Sequence, residues 1–328
     1  MKAFTRDYRI TGEYPDQFSR YFRGMKPCIF DLEATGLDPS RCRVCLAALL
    51  VQTDTGVRIT QFLAENHYEE HKVLDSVCDF LTRENIGYLI TFNGQAFDIP
   101  FINRRLESNF SGSRISLFDF DLYRFLRKGT DLKDRIRSMS QMSIEDHYGI
   151  FSDRKDTITG RESVRLFDEY SLTGNSTIEK IILTHNREDV LQLHRLMYLT
   201  MAEPEDFDTA MALHGFPSSD GRLAIRPYIS RQSKCLRICG EQLRDPVSAA
   251  YFSDPDSPLS IQFNASSSSF RIDVPAGHHG DSFYIDAGLT GADLSDDPDF
   301  VNGYVILNSR TINKVSRIIT DRICRERL

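Results

Sequence analysis

The chain has 328 residues, of which 41% are hydrophobic and 27% are charged, as in an ordinary globular protein. Its length allows two domains, and its formal net charge of −7 excludes a surface coated in positive charge. No apolar run reaches the ~18–20 residues that a transmembrane helix needs, and the polar N-terminus shows no secretory h-region. The seven scattered cysteines indicate reduced thiols, so we expect a cytoplasmic protein.

The first domain is predicted over residues 26–202, after a lead-in of residues 1–25 that packs on it. Alternating or continuous apolar runs predict strands at residues 26–33, 44–51, 57–64, 87–92 and 115–120. Apolar residues at helical spacing predict helices at residues 69–83, 98–106, 121–127, 143–148, 161–171 and 176–200. This order is typical of an α/β sheet with crossover connections.

The second domain is predicted over residues 203–328, where the pattern changes. Short strands separated by turn residues are predicted at residues 223–229, 234–239, 259–263, 270–274, 282–285 and 304–307. A final amphipathic helix is predicted at residues 311–325. We therefore expect a smaller, mostly β domain with a C-terminal helix, and the sequence assigns it no role.

Two carboxylates, Asp31 and Glu33, lie at the end of the first predicted strand of this α/β domain. Side chains alternate along a strand, so both point to the same face. Two acids on one face of a buried strand repel each other and lose hydration. A bound divalent cation would relieve both penalties.

Two later stretches add acidic and histidine side chains. Asp98 stands two residues before Pro100 at the predicted start of a helix, where a helix N-cap is the alternative interpretation. His185 and Asp189 are four residues apart and share one face of the last helix, where the alternative is a solvated charged surface. Each stretch alone favours the structural alternative, but together with the Asp-x-Glu pair they indicate one site.

In this order, the acids resemble those of the DEDD superfamily of 3′–5′ exonucleases, whose fold is ribonuclease H-like. The matched residues are Asp31, Glu33, Asp98 and Asp189. The stretches TFNGQAFDIPFINRRL and HNREDVLQLHRL are similar to the YprB-type branch, and so are DLYRFLRKG and SIEDHYGI. The resemblance covers about residues 26–200. It implies a ribonuclease H-like mixed sheet flanked by helices.

The resemblance also implies a two-metal mechanism with Mg²⁺ or Mn²⁺, held by Asp31, Glu33, Asp98 and Asp189. His185 would deprotonate or aim the attacking water, so these five residues form the predicted catalytic set. The histidine branch usually has four residues between its His and last Asp, whereas this chain has three, as the tyrosine branch does. General base and water-orienting group therefore both stay open for His185.

Substrate contacts are predicted at the turn of Thr35 and Gly36 and at Asn93, for which a turn role is the alternative. A basic strip with interleaved Tyr123 and Phe125 could track a phosphate backbone and stack on a base. Its members are Arg104, Arg105, Arg124, Arg127, Lys128, Lys133, Arg135 and Arg137, and we expect Arg124, Arg127 and Lys128 to bind substrate. Solvated helix faces are the alternative.

The predicted function is metal-dependent 3′–5′ exonuclease action on single-stranded DNA or RNA. One alternative is a non-catalytic nucleic-acid or protein-binding module that retains the fold. Another is a structure-specific endonuclease with the same metal site. The intact set of acids favours hydrolysis, because clustered carboxylates without metal would only destabilise the fold.

Overall fold

A computed structural model describes residues 1–10, 12, 14–109, 112–156, 158–251 and 258–327. The chain divides into two compact units. Unit 1 consists of Met1–Ser19, Gly24–Arg127 and Asp131–Glu203, and unit 2 of Arg20–Arg23, Lys128–Thr130 and Pro204–Leu328. Within the described part of the chain, no helix has both the length and the apolar character needed to cross a membrane.

Unit 1 contains a six-stranded mixed sheet with the strand order β1-β4-β3-β2-β5-β6. Its strands are β1 (Lys2–Tyr8), β2 (Lys26–Ala34), β3 (Val44–Thr53), β4 (Gly56–Leu63), β5 (Ile86–Thr91) and β6 (Phe118–Asp121). The strands from β1 to β2 in this order pair antiparallel, whereas β2, β5 and β6 run parallel. The nearly continuous apolar run of β3 is buried from Val44 to Val51, as a central strand requires.

Helices connect and cover these strands. They are α1 (Asp16–Ser19), α2 (Glu70–Arg83), α3 (Asp98–Ser108), α4 (Leu122–Gly129), α5 (Leu132–Arg135), α6 (Gln141–His147), α7 (Gly160–Thr173) and α8 (Ser176–Thr200). A core of buried side chains from β2, β3, α2, α3, α7 and α8 holds the sheet. The predicted ribonuclease H-like α/β class is confirmed, although the strand predicted at residues 115–120 begins only at Phe118.

The N-terminal lead-in contains a strand that the sequence did not predict. β1 pairs along its whole length with β4, from Lys2 opposite Leu63 to Tyr8 opposite Val57. It is an edge strand with a largely exposed, charged sequence, so it lacks the apolar run that identifies a buried strand. Gly56 permits this pairing, because a Cβ atom there would lie 2.0 Å from the Tyr8 carbonyl oxygen.

Unit 2 is mostly β, as predicted. One antiparallel sheet has the order β10-β11-β12-β9-β8-β7 and another has the order β13-β14-β16-β15. The strands are β7 (Phe216–Pro217), β8 (Leu223–Ser230), β9 (Cys235–Gln242), β10 (Ala249–Tyr251), β11 (Ser260–Asn264), β12 (Ser269–Pro275), β13 (Gly277–His279), β14 (Ser282–Asp286), β15 (Phe300–Val301) and β16 (Tyr304–Leu307). Its helices are α9 (Phe207–His214) and the C-terminal α10 (Ser309–Arg327).

Candidate metal centre

The carboxyl end of β2 carries the first two acids. Glu33 is buried, and Asp31 lies two residues before it on the same strand. The Asp31 Oδ2 atom accepts a hydrogen bond of 2.7 Å from Asn186 Nδ2 on α8. Asn186 is itself fixed, because its Oδ1 accepts a 2.9 Å hydrogen bond from Gln61 Nε2 on β4. A buried amide pair therefore holds the Asp31 carboxylate in place.

Helix α8 brings His185 and Asp189 to the same place, as the four-residue spacing predicts. His185 Nε2 lies 3.5 Å from Glu33 Oε1 and 3.6 Å from Asp189 Oδ2. One potential ligand atom from each of Glu33, His185 and Asp189 lies within 4.8 Å of the other two. Strand and helix periodicity thus place two carboxylates and one imidazole around a space that could receive one cation.

The segment before α7 supplies two residues that sequence reasoning missed. Asp156 Oδ2 accepts a 2.6 Å hydrogen bond from His185 Nδ1, which leaves Nε2 facing the two carboxylates. Arg154 donates from Nε to Glu145 at 2.6 Å, from Nη1 to Asp156 at 3.0 Å, and from Nη2 to Asp189. One buried guanidinium therefore joins three carboxylates, and one carboxylate orients the histidine ring.

The electrostatics of this cluster follow from burial. Burial raises the pKa of Asp31 to about 7, with a further rise from the charge of Asp189 and a partial offset from the Asn186 hydrogen bond. Burial likewise raises the pKa of Glu33 to about 8 and that of Asp189 to about 6. Burial therefore disfavours the ionised forms of these carboxylates. A bound cation would stabilise the ionised forms.

The pKa of His185 shifts in the other direction from what burial alone would cause. Burial lowers the pKa of this ring, but the hydrogen bond to Asp156 and the charges of Asp189 and Glu33 outweigh it and raise the pKa to about 9. In the metal-free protein the imidazolium therefore balances part of the negative charge of the cluster.

Asp98 belongs to a second group of buried acids beside the first. Burial raises its pKa well above the ordinary range, and the charges of Asp31, Asp119 and Asp121 raise it further. The N-cap alternative is not observed, because Phe97 is the cap residue of α3 and no side chain bonds there. Asp98 instead lies buried in the first turn, electrostatically coupled to Asp31.

The donor set fits a divalent cation such as Mg²⁺ or Mn²⁺. Both prefer oxygen ligands, which the carboxylates of the cluster supply. Of the four predicted metal ligands, Glu33 and Asp189 belong to the close group, which among the described residues includes His185 but neither Asp31 nor Asp98. Glu33 and Asp189 could therefore hold a cation directly, with His185 Nε2 facing the same space. Asp31 and Asp98 add negative charge beside them.

The predicted substrate-binding turns are well defined. Thr35 follows β2, and its hydroxyl accepts a 3.0 Å hydrogen bond from the Arg43 backbone N–H. Gly36 allows a close approach, since a Cβ atom there would lie 2.6 Å from Cys42 Sγ. Asn93 has a left-handed backbone with φ of 66°, and its N–H donates to Asp121 Oδ1 at 2.8 Å. The turn role of Asn93 is therefore observed, and its contact with substrate stays a prediction.

The basic strip is less uniform than the sequence suggested. Phe125 is fully buried, so it offers no face for base stacking, which corrects that expectation. Arg124 donates to Gln95 Oε1 at 2.6 Å, and the exposed Arg127 donates to Tyr123 Oη at 2.8 Å. Lys128 is exposed and belongs to unit 2. Substrate binding by Arg124, Arg127 and Lys128 stays a prediction.

Sheet, helices and acidic–histidine cluster together define a nuclease-type α/β domain of the ribonuclease H kind, compatible with metal-dependent hydrolysis. The sequence matches the RNase_H superfamily over residues 28–201, more than half of the chain, and the chain belongs to that superfamily.

A solved structure that is similar is the family B DNA polymerase from the hyperthermophilic archaeon Pyrobaculum calidifontis, at 15% identity and a TM-score of 0.42. The match covers 69% of this chain but only 33% of the polymerase chain. No curated protein matches the sequence.

Proposed function

We propose that the chain is a metal-dependent 3′–5′ exonuclease that hydrolyses phosphodiester bonds of single-stranded nucleic acid. The observation that carries this proposal is the close group of Glu33, His185 and Asp189, with Asp31 beside it, in a domain of the RNase_H superfamily. The acidic motifs resemble those of DEDD exonucleases, and this resemblance supports 3′–5′ action and two metals over other nuclease types.

Each residue of the cluster has a role in this chemistry. Glu33 and Asp189 would hold one divalent cation directly. Asp31 and Asp98, which the resemblance implies as further ligands, would help to hold the second. When bound, such cations neutralise the phosphate oxygens and help to ionise water. His185 presents Nε2 toward the space between Glu33 and Asp189, where it would aim or deprotonate the attacking water.

The residues next to this acidic and histidine cluster orient its functional atoms. Asp156 holds the ring of His185 through Nδ1, and Asn186 holds the Asp31 carboxylate. Arg154 binds one oxygen of Asp189, which leaves Oδ2 on the side of the histidine. These partners fix the direction of each functional atom before substrate arrives, so little reorganisation remains for the reaction itself.

The decisive variant is Asp31→Asn, which removes one negative charge and keeps the shape of the side chain. We expect the hydrolysis rate to fall at least about 100-fold, the scale of losing one preorganised charge at a reaction centre. The fold should persist, because the Asn oxygen can still accept the hydrogen bond from Asn186. The matched control is Asp54→Asn, the same change in the exposed turn between β3 and β4.

The assay follows 5′-labelled single-stranded DNA and RNA on a gel with Mn²⁺ or Mg²⁺, and circular single strands are run in parallel. A ladder that shortens from the 3′ end supports exonuclease action, whereas cleavage of circles supports the endonuclease alternative. If well-folded wild-type protein leaves every substrate intact, the proposed nuclease activity is wrong and the binding-module alternative is favoured. Full activity in Asp31→Asn would refute the site.

A further inference from the structure

Unit 2 contains an open cavity of about 410 Å³ between α10 and the segment Arg20–Arg23. All of its lining residues belong to unit 2. Five of them carry positive charge, namely Arg20, Arg23, Arg310, Lys314 and Arg317, and Asp208 is the single acid among them. In a chain of net charge −7, this concentration of cations marks a distinct surface.

Three of the five cations are already paired. Arg20 donates to Asp208, Arg310 to Asp297 and Asp299, and Lys314 to Asp297 at 2.7 Å. These pairs still leave the wall of the cavity positive, because the five cations outnumber the three paired carboxylates and Asp321, whose charge acts on Arg317.

The other two cations, Arg23 and Arg317, form no ion pair with any residue that the structure describes. Arg23 is exposed to solvent. Arg317 is partly buried and donates to the carbonyl oxygens of Arg20 and Tyr21, at 3.3 and 2.9 Å, while its Nε has no described partner. The charge of Asp321 and the rings of Tyr21 and Phe216 compensate part of this burial. Burial still lowers the pKa of Arg317, so a bound anion would stabilise its charged form.

The aromatic residue of the cavity does not offer a stacking surface. Tyr21 is buried, and the guanidinium groups of Arg20 and Arg317 lie 5.5 and 5.3 Å from its ring centre. A base could not stack on this ring, so the cavity would recognise negative charge and not base identity. Its volume lies in the range of ~300–1,000 Å³ that is typical of small-ligand sites, which suits one nucleotide unit.

We propose that this cavity binds the phosphate group of a nucleotide or of a nucleic-acid strand, without reading the base. The positive charge of the cavity does not depend on the proposed nuclease function, whereas the choice of a nucleic-acid phosphate rests on it. Guanidinium groups suit phosphate because their N–H donors match pairs of phosphate oxygens. This site would give the β-rich unit a substrate-holding or product-holding role.

The test measures binding of a fluorescein-labelled oligothymidylate and oligouridylate to the full chain by fluorescence anisotropy in EDTA. Because no hydrolysis occurs there, failure of this inference is distinguishable from failure of the nuclease proposal. The variant Arg23→Glu changes an exposed, unpaired cation and spares the packing, and Arg317→Gln removes the buried one. Arg325→Glu makes the same charge change as the first variant at an exposed position of α10 outside the cavity.

We expect Arg23→Glu to weaken binding at least about tenfold, the size of one charge-assisted hydrogen bond. The slope of log affinity against log salt should fall by about 0.7, while Arg325→Glu stays close to wild type. Displacement of the labelled strand by thymidine monophosphate, but not by thymidine, would identify a mononucleotide site. Displacement by unlabelled strand alone would identify a strand site. Equal affinities for Arg23→Glu and Arg325→Glu, or no binding by wild type, would overturn the inference.

Discussion

His194 provides a test of unit 1 that is independent of any ligand. It is fully buried in α8, and its two ring nitrogens each lie 3.4 Å from a tyrosine hydroxyl, that of Tyr14 and that of Tyr198. Burial lowers the pKa of His194 to about 4, and the charge of Arg195 lowers it further. The folded protein therefore favours the neutral ring, whereas the unfolded chain binds a proton near the ordinary value.

Because the folded pKa is depressed, the stability contributed by neutral His194 is present above about pH 6.5 and is lost as the pH falls toward about 4. The full shift corresponds to about 3 kcal/mol, and roughly 2 kcal/mol of it is lost between about pH 7.5 and about pH 5. For a unit of this size, that loss lowers the melting temperature by about 4–8 °C.

The assay compares urea unfolding of wild type and His194→Gln across this pH range. Buried carboxylates such as Glu33 have raised pKa values and act in the opposite sense, but they are common to both proteins and cancel in the difference. The variant keeps a polar group between the tyrosines and cannot titrate. We expect the advantage of wild type over the variant to shrink by roughly 2 kcal/mol at the lower pH. A difference that does not change with pH would refute a neutral, buried His194.

The remaining predictions concern a positioning residue and a structural arginine. Asp156→Asn should lower the hydrolysis rate about 10–100-fold, because it releases the His185 ring that Asp156 orients, and the gel assay with Mn²⁺ measures it. Asp153→Asn, an exposed change three residues away, is the control, and equal hydrolysis rates for the two variants would contradict this role. Arg105→Met should destabilise the fold by about 3–5 kcal/mol in urea unfolding, because it leaves the buried Glu70 carboxylate unpaired. The adjacent, exposed Arg104→Met should cost less than about 1 kcal/mol, and similar losses for both would show that the pairing with Glu70 is unimportant.

The parts of the site that the sequence predicted are those fixed by a regular period. The two-residue alternation of a strand sets the shared face of Asp31 and Glu33, and the helical period sets that of His185 and Asp189. The order of the acids along the chain, which resembles that of DEDD exonucleases, led us to expect that the two pairs meet. Their identities as metal ligands stay a prediction.

The parts that the sequence missed depend on irregular backbone or on distant pairing. Arg154 and Asp156 lie in a short irregular segment, where no helix or strand periodicity predicts the direction of a side chain. Their contacts with Asp189 and His185 therefore could not be predicted from the sequence. Edge strand β1 was missed because its pairing with β4 depends on residues 49 to 61 positions away, from Tyr8 opposite Val57 to Lys2 opposite Leu63. Arg104 and Arg105 read as equal members of a basic strip, yet only the second faces a buried acid.

The hydrogen bond between Asp31 and Asn186 closes a loop of 155 positions along the chain. Contacts between residues so far apart form slowly, because the entropy of closing the loop is lost before the contact is gained. During synthesis, β2 is complete long before α8 is made. Asp31 and Glu33 therefore lack their partners on α8 during that interval. A nascent or interrupted chain that ends before α8 therefore cannot assemble the cluster, and only the completed domain acquires its chemistry.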